Sequence, residues 1–368
     1  MAAPDLETRA ADPGPAPRPT TFAAALNTAL SDAMAAETSV CVFGEDVGTL
    51  GGVFRITDGL ARRFGDDRCF DTPLAESGIA GMAAGMAMNG MRPVVEMQFD
   101  AFAYPGLEQI FSHIAKFGNR TRGRVRIPLV VRIPYGGGVG GVEHHCDSSE
   151  AYYAHTPGLK VYTPATVADA YLMLREAVDS PDPVIFFEPK KLYWSKEPVD
   201  LEALRRQYEA GRSGEAGGSG GSGEAGAEPD GVGAEGRAVV ARAGGDVSLI
   251  SYGPSVSTAL AAAEAAAEEG ISAEVLDLRS LVPFDDAALT ATVEKTGRAI
   301  VVAEAQGFAS VAGEIVARIQ ERCFHSLASP VRRVTGFDIP YPSPKLEQHH
   351  LPDVDRVLDA LDMLQWED

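Results

Sequence analysis

The sequence predicts an α/β fold made of two open parallel-sheet domains. Short apolar runs alternate with helical patterns on both sides of one long stretch rich in Gly and Ser. Strands and helices that take turns along a chain form a parallel sheet covered by helices on both faces. At 368 residues the chain is long enough for two domains that each bury a core. We therefore place a first domain at 20–200 and a C-terminal domain at 237–368.

The first domain is predicted from short buried strands and longer helices that alternate. Apolar runs indicate strands at 40–43, 94–97, 128–131, 160–162 and 183–187. Helical patterns indicate helices at 22–36, 76–88, 106–116 and 167–178. In an open α/β sheet, ligands bind at the carboxyl ends of the strands, so side chains that follow these strands are the candidates for a site.

The C-terminal domain repeats the scheme. Its strands are predicted at 247–252, 273–278, 299–303 and 331–334, and its helices at 258–269, 286–295 and 311–323. We predict a Gly/Ser-rich linker at 201–236, because the run from 211 onward holds almost no apolar side chain larger than Ala and cannot offset its own ordering entropy. Residues 1–19 are rich in Ala and Pro and are predicted to be a disordered tail.

Composition excludes several classes of function. Acidic residues outnumber basic ones by 52 to 32, and the formal charge of −20 opposes binding to nucleic acid or to anionic membrane surfaces. The four cysteines are far apart and form no CxxC pair, which favours a reducing, cytoplasmic setting. The chain shows neither the pattern of a signal peptide nor an apolar run long enough to span a bilayer, so we predict a soluble protein.

Glu76 stands at the start of a helix that is unusually rich in Gly and Ala. A Glu in the first turn ordinarily just stabilises the helix dipole, by at most about 1 kcal/mol. Interior glycines such as Gly81 and Gly85 cost about 1 kcal/mol each relative to Ala. We expect the close approach of a second helix, from another subunit, to offset that cost.

Two further clusters follow predicted strands. Glu45 and Asp46 come directly after the first strand and are either site carboxylates or turn residues before Gly48. Gln98 and Phe102 follow another strand and offer an amide and an aromatic face to a flat heterocycle, although such residues are ordinarily core and helix entry.

A glycine-rich run at 136–141 precedes two adjacent histidines, His144 and His145. The glycines do not open directly into a helix, as dinucleotide-binding glycines must, so we predict a mobile loop at an active site. In extended chain the two imidazoles point in opposite directions and would not share a metal ion. One of them is either a proton donor or acceptor in a site or half of a solvent-exposed pair.

Several motifs together resemble the β subunit of thiamine-diphosphate-dependent 2-oxoacid dehydrogenases (the E1 component), and most closely the branched-chain enzyme. These motifs cover most of the chain apart from the tail and the linker. They are GEDVG at 44–48, GGVFR at 51–55, DTPLAESGIAG at 71–81, RPVVEMQF at 92–99, EAYYAHTPGLKV at 150–161, FFEPKKLYW at 186–194 and VLDLRSLVPFD at 275–285.

The resemblance implies an assembly of two α and two β chains, with thiamine diphosphate bound between an α and a β subunit. This chain would hold the aminopyrimidine end. The α subunit would hold the diphosphate and Mg²⁺, because the GDG motif that binds them in the family is absent from this sequence. The first domain would be a transketolase-like pyrimidine-binding domain. The second would be a transketolase C-terminal-like domain that serves assembly and docking onto the lipoyl acyltransferase (E2) core.

By motif position, the resemblance assigns five residues to the cofactor. Glu76 would hydrogen-bond the pyrimidine ring nitrogen and promote removal of the thiazolium C2 proton, and the thiazolium ring would act as the electron sink. Phe102 would stack on the aminopyrimidine. Glu45, Leu74 and Gln98 would line the same pocket, and no metal ligand is assigned to this chain.

The resemblance also assigns His145, as a catalytic residue that faces the channel by which a lipoyl group enters. Cys146 stands where the family usually has Ser, and the chemistry requires no nucleophile there. Three charged residues of the C-terminal domain, Asp277, Arg279 and Glu304, are interpreted as strand-end charges at a subunit interface.

The sequence thus predicts the β subunit of an oxidative decarboxylase of branched-chain 2-oxoacids, active only with an α subunit, in branched-chain amino acid catabolism. One alternative is the same chemistry on pyruvate or acetoin. A different class of alternative is an interaction subunit without catalytic duty.

Overall fold

The computed structural model describes residues 19–213 and 236–364, which form two predominantly parallel sheets with helices packed against them. The predicted fold class is confirmed. The predicted tail, apart from residue 19, and the part of the predicted linker at 214–235 lie outside the described residues. None of the helices within the described ranges combines the length and the apolarity that crossing a bilayer requires.

The strands are short and mostly buried. In chain order they are β1 (Pro19–Thr21), β2 (Val40–Gly44), β3 (Cys69–Asp71), β4 (Arg92–Glu96), β5 (Val130–Tyr135), β6 (Lys160–Tyr162), β7 (Val184–Pro189), β8 (Lys196–Pro198), β9 (Val239–Arg242), β10 (Val247–Ser251), β11 (Ala273–Asp277), β12 (Ser280–Val282), β13 (Ala299–Gln306) and β14 (Arg332–Gly336). The first sheet has the order β12-β6-β7-β5-β4-β2-β3, the second has β14-β13-β10-β11-β9, and β1 pairs with β8 in a small ribbon.

The helices flank these sheets. They are α1 (Phe22–Ala36), α2 (Leu60–Phe64), α3 (Glu76–Met88), α4 (Phe117–Arg120), α5 (Glu150–Ala154), α6 (Val167–Asp179), α7 (Leu201–Ser213), α8 (Ser255–Glu268), α9 (Asp286–Thr296), α10 (Val311–Cys323), α11 (Glu347–His350) and α12 (Val354–Asp362). Several begin at a side-chain cap: Thr21 accepts from the N–H of Ala24 and Ser310 from that of Gly313. Such caps satisfy N–H groups that have no partner inside the helix.

The prediction of a regular helix at 106–116 is wrong. The chain instead makes a 3₁₀ turn at Ala101–Gly106 and then a π-helical turn at Gln109–Ile114. Pro105 lies inside the first turn and lacks the N–H that a regular helix would use. The irregular path brings the 101–106 turn against α3.

Each sheet ends in one antiparallel strand that the sequence did not reveal. Strand β9 pairs antiparallel with β11 in the second sheet. Strand β12 belongs by sequence to the C-terminal domain, yet it pairs antiparallel with β6, with Ser280 opposite Tyr162 and Val282 opposite Val161. It therefore completes the sheet of the first domain, and one apolar core runs through both domains.

The predicted linker begins too early, because 201–213 is helix α7. Leu201 and Leu204 pack on the apolar core between α1 and the first sheet. The hydroxyl of Tyr208 donates to Asp179 at 2.6 Å, and Arg205 Nε donates to Asp32 at 2.7 Å. The apolar spacing 201, 204 and 208 is helical, but the Gly/Ser-rich composition downstream obscured it.

An ion network is buried in the first sheet. Arg132 donates to Glu96 through Nη1 at 2.7 Å and to Glu188 through Nε at 2.7 Å, and Tyr193 donates to Glu188 at 2.7 Å. Every charge in the network has a partner, as a buried charge requires. It fixes β4, β5 and β7 relative to one another just below the edge where the candidate site lies.

Candidate active site

The candidate site lies at the carboxyl ends of β3, β2 and β4. The chain leaves β2 and returns on one side of it as β3 and on the other side as β4, and both pairs are parallel. This is a point where the strand order reverses, and open α/β sheets bind ligands in the crevice there. Glu45 follows β2, Glu76 follows β3 and Gln98 follows β4.

Glu76 occupies the first turn of α3 and is only 9% exposed. The 101–106 turn packs directly on it, since a Cβ added to Gly106 would lie 3.2 Å from the carbonyl oxygen of Glu76. That distance is tighter than ordinary van der Waals contact, so glycine at 106 permits the approach. The carboxylate is thus held between a helix start and a turn.

Glu45 and Asp46 have different surroundings. Burial raises the pKa of Glu45, and the neighbouring carboxylates of Glu76 and Asp46 raise it further. Asp46 adopts a left-handed backbone with φ 58° and accepts from the amide of Gln98 at 3.2 Å. Asp46 is therefore a turn residue that orients Gln98, while Glu45 is electrostatically coupled to Glu76.

An aromatic cluster surrounds His145. Its ring centroid lies 4.3 Å from that of Phe99 and 5.4 Å from that of Phe102. The predicted opposite orientation of the two histidines is wrong, because Glu143–His145 is a 3₁₀ turn and the rings of His144 and His145 lie 4.3 Å apart. Burial lowers the pKa of His145, and His144 and Lys190 lower it further, so its imidazole is neutral at pH 7.

Two buried residues that sequence reasoning missed lie beneath this cluster. Asp100 accepts from the backbone N–H of Ser149 at 2.9 Å and from its hydroxyl. Lys190 is 1% exposed, and its Nζ lies 6.0 Å from the ring centroid of Phe99 and has no hydrogen-bond partner among the described residues. Burial raises the pKa of Asp100 to about 7 and lowers that of Lys190 to about 8. Lys190 falls in the quoted motif at 186–194, which gave it no role.

The charged residues predicted at strand ends of the C-terminal domain are buried within the chain, where Asp277 is the last residue of β11 and Glu304 lies near the end of β13. Asp277, Arg279 and Glu304 are each at most 7% exposed. Arg279 forms an ion pair with Asp169 of the first domain, and Glu304 accepts from the backbone N–H of Gly137. Within the chain Arg279 and Glu304 thus join the two domains.

Other predicted residues face outward or are inert. Leu74 is 79% exposed beside Glu76, and a Cβ added to Gly85 on α3 would meet none of the described residues within 4 Å. Cys146 is buried, and burial raises its thiol pKa to about 11, so it is not a thiolate at neutral pH. Among residues 19–213 and 236–364, no group of three or more His, Cys, Asp or Glu side chains is arranged to hold a metal ion.

Comparison with known proteins decides the family. Residues 18–195 match the family described as "Transketolase, pyrimidine binding domain", and residues 236–357 match "Transketolase, C-terminal domain". The chain is 47% identical over 352 residues to the "Pyruvate dehydrogenase E1 component subunit beta" of Leifsonia xyli subsp. xyli, which covers 96% of each chain. The chain belongs to the E1 β family of 2-oxoacid dehydrogenases. Members of that family generally use thiamine diphosphate and pair with an E1 α subunit.

A second E1 β relative has another substrate in its name. The "3-methyl-2-oxobutanoate dehydrogenase subunit beta" of Mycobacterium tuberculosis (strain CDC 1551 / Oshkosh) is also 47% identical, over 343 residues that cover 93% of this chain and 91% of the relative. Equal identity to both leaves the substrate open. The solved structure "Split gene transketolase, inactive beta4 tetramer" matches with a TM-score of 0.69 at 20% identity, over 93% of this chain and 97% of that one, which shows a transketolase-like fold and no more.

Proposed function

We propose that the chain is the β subunit of the E1 component of a branched-chain 2-oxoacid dehydrogenase complex. With an α subunit it would decarboxylate branched-chain 2-oxoacids in the cytoplasm and transfer the acyl unit to lipoyl groups of an E2 core. The observation that carries the proposal is the convergence of Glu45, Glu76 and Gln98 at three neighbouring strand ends. The identity to the 3-methyl-2-oxobutanoate dehydrogenase subunit supports the branched-chain substrate.

The side chains present fit the aminopyrimidine end of thiamine diphosphate. A pyrimidine ring offers nitrogen atoms for hydrogen bonds and a flat face for stacking. Here Glu76 supplies a carboxylate at 9% exposure, Gln98 an amide held by Asp46, and Phe102 an aromatic ring. The exposed Leu74 beside them fits a site that a second subunit closes. When bound, the cofactor supplies the electron sink for decarboxylation, and the α subunit would hold its diphosphate and Mg²⁺.

In this proposal Glu76 holds a proton against the pyrimidine ring nitrogen and so sets the protonation state of the ring. Glu45 retains its own proton to a higher pH than an ordinary glutamate, because burial and the charge of Glu76 disfavour its ionised form. The closeness of the two carboxyl groups therefore disfavours the state in which both are ionised.

His145 is proposed to act in the second half of the reaction. Its neutral imidazole can donate a hydrogen bond to a sulfur atom of an entering lipoyl group, and its buried Nδ1 has no hydrogen-bond partner in the part of the chain that the structure describes. Phe99 and Phe102 exclude water on one side of the ring. A histidine beside apolar rings is thus suited to meeting the apolar dithiolane of a lipoyl group.

A specific observation favours pyruvate as the second candidate substrate, since the Leifsonia xyli subsp. xyli relative named for pyruvate is also 47% identical. The test uses this chain co-purified with its α partner, thiamine diphosphate and Mg²⁺. Release of CO₂ is measured from 3-methyl-2-oxobutanoate and from pyruvate over the same series of concentrations. A higher kcat/KM for the branched acid supports the proposal. A higher value for pyruvate overturns the branched-chain substrate and retains the reaction type.

A further inference from the structure

The glycine-rich loop that leads to His145 is held by carboxylates of the C-terminal domain. The N–H of Gly137 donates to Glu304, and the N–H of Gly140 donates to Glu347 Oε2 at 3.1 Å. Hydrogen bonds from N–H to a carboxylate are charge-assisted and stronger than bonds between neutral groups. Two bonds from one domain therefore fix the backbone of a loop in the other.

Glu304 reaches the loop from the end of β13, inside the protein. It is 7% exposed, and a Cβ added to Gly136 would lie 2.9 Å from its Oε1. Glycine at 136, with φ +77°, is thus required both by the backbone conformation and by the closeness of this carboxylate.

Glu347 approaches from α11 and is itself oriented. The hydroxyl of Tyr341 donates to Glu347 Oε2 at 2.8 Å. A Cβ added to Gly137 would fall 1.8 Å from the Tyr341 hydroxyl, so this loop packs against the tyrosine without any side chain of its own. The carboxylate and the tyrosine form one surface that is complementary to the bare backbone at 137–140.

The held backbone is continuous with the histidine. The N–H of Gly136 donates to the carbonyl of Asp147 at 2.8 Å, which closes the loop at its base. The N–H of His145 donates to the carbonyl of Val142 at 2.9 Å, and a Cβ at Gly141 would lie 2.8 Å from Cys146 Sγ. A shift at 137–140 would therefore move His145 relative to Phe99.

We propose that Glu304 and Glu347 are positioning residues for His145. By holding the loop, the C-terminal domain keeps the imidazole against Phe99 and Phe102, and so contributes to acyl transfer as well as to assembly. This inference rests on the proposed function, since it needs His145 to act on a lipoyl group.

The first test measures hydrogen exchange of the loop, without any turnover. Peptides spanning 136–147 are followed in the α/β assembly prepared without cofactor. Removing one hydrogen bond to a carboxylate, worth about 1.5 kcal/mol, predicts that Glu347→Ala speeds exchange of the loop by roughly tenfold. Glu347→Gln keeps an acceptor oxygen and is expected to stay near the wild type. Glu321→Ala is the matched control, because that side chain is 74% exposed on α10.

The second test separates the two half-reactions in the loaded enzyme. CO₂ release with an artificial electron acceptor is compared with acylation of an isolated lipoyl domain. We expect Glu347→Ala to lower kcat/KM for the lipoyl domain by roughly fivefold or more and to affect CO₂ release much less, with recovery in Glu347→Gln. Glu304→Gln, which also keeps an acceptor in the buried position, is expected to retain the loop.

The outcomes are distinct. Unchanged exchange in Glu347→Ala overturns the hold on the loop, and faster exchange with an unchanged lipoyl step overturns the positioning of His145. Failure of the proposed function gives another pattern, in which the wild-type assembly itself acylates no lipoyl domain. If the wild type acylates no lipoyl domain but Glu347→Ala still speeds hydrogen exchange, the contact between Glu347 and the loop is supported and its role in acyl transfer is overturned.

Discussion

Arg132 and Glu188 form a two-bond ion pair in the interior of the first sheet. Nε of Arg132 donates to Oε1 of Glu188 at 2.7 Å and Nη2 donates to Oε2 at 2.9 Å, and both side chains are 0% exposed. The remaining Nη1 reaches Glu96 at 2.7 Å. One guanidinium therefore joins β4, β5 and β7, and β4 is one of the three strands whose ends carry the candidate site.

Replacing Arg132 with Met should strongly destabilise the chain. The variant leaves two buried carboxylates without a cation, and breaking a buried pair in this way costs about 3–5 kcal/mol. Arg126→Met is the control, since Arg126 pairs with Asp182 at 2.8 Å with its side chain 60% exposed and should cost no more than about 1 kcal/mol. Urea-induced unfolding of both variants gives the comparison, and equal losses would contradict the role of the network.

Glu76→Gln should abolish turnover without disturbing assembly. The substitution keeps size and hydrogen bonding but removes the group that exchanges a proton, and such groups contribute about 10²–10⁴-fold to rate. CO₂ release and the mass of the α/β assembly are measured together. The exposed Glu268→Gln in the C-terminal domain serves as the control. Full turnover in an assembled Glu76→Gln variant would instead support an interaction subunit without catalytic duty.

Gly85→Ala should have opposite effects on the single chain and on the assembly. The added Cβ meets no atom of residues 19–213 and 236–364 within 4 Å, so the helix gains about 1 kcal/mol of stability. If another subunit's helix packs closely on this face, as the spacing of Gly81 and Gly85 predicts, the same methyl group weakens association. Thermal unfolding of the free chain and sedimentation of the assembly measure the two effects. An assembly as tight as the wild type would refute the close helix contact.

Glu150 should make the stability of the chain depend on pH. Burial raises its pKa from 4.5 to about 7, although Tyr252 donates to it at 2.8 Å. The contribution of Glu150 to the free energy of unfolding is therefore complete below pH 4.5. It is lost as the pH rises to about 7, because in this range the Glu150 carboxyl group keeps its proton only in the folded state. The loss amounts to about 3 kcal/mol over this range.

The matched variant is Glu150→Gln, which cannot ionise. It should show a flatter decline in unfolding free energy between pH 4.5 and 7 than the wild type. Any change in packing caused by the amide alters the unfolding free energy equally at every pH. The quantity to compare is therefore the slope of unfolding free energy against pH. Identical slopes would show that Glu150 is ionised in the folded chain across the whole range.

Local signals in the sequence predicted much of the fold. Helices α1 and α10 lie at their predicted bounds because a capping Thr21 or Ser310 directly precedes each helical pattern. Strands β9 and β12 escaped prediction, since three or four residues carry little periodicity and their partners are distant along the chain. Helix α7 falls inside the predicted linker because it runs directly into the Gly/Ser-rich stretch, whose composition carries no helical signal.

The residues of the candidate site also divide into those that local sequence signals predicted and those that only tertiary contacts bring together. Glu45 and Gln98 were found because each follows a predicted strand, and Glu76 because it begins a helix rich in Gly and Ala; their roles stay predictions. Strand β3, which precedes Glu76, was not predicted. Asp100 and Lys190 were missed because only tertiary contact places them beneath the histidines. The orientation of His144 and His145 was wrong because the prediction assumed extended chain, whereas the backbone turns there.

The strand β12 makes the covalent connection between the domains dispensable in principle. Cleavage within 214–235 would give two polypeptides that still share one sheet, one core and the ion pair between Arg279 and Asp169. The N-terminal piece alone would instead expose β6 as a free sheet edge, which invites aggregation. Co-expression as two genes is thus the workable way to divide this protein, and truncation is not.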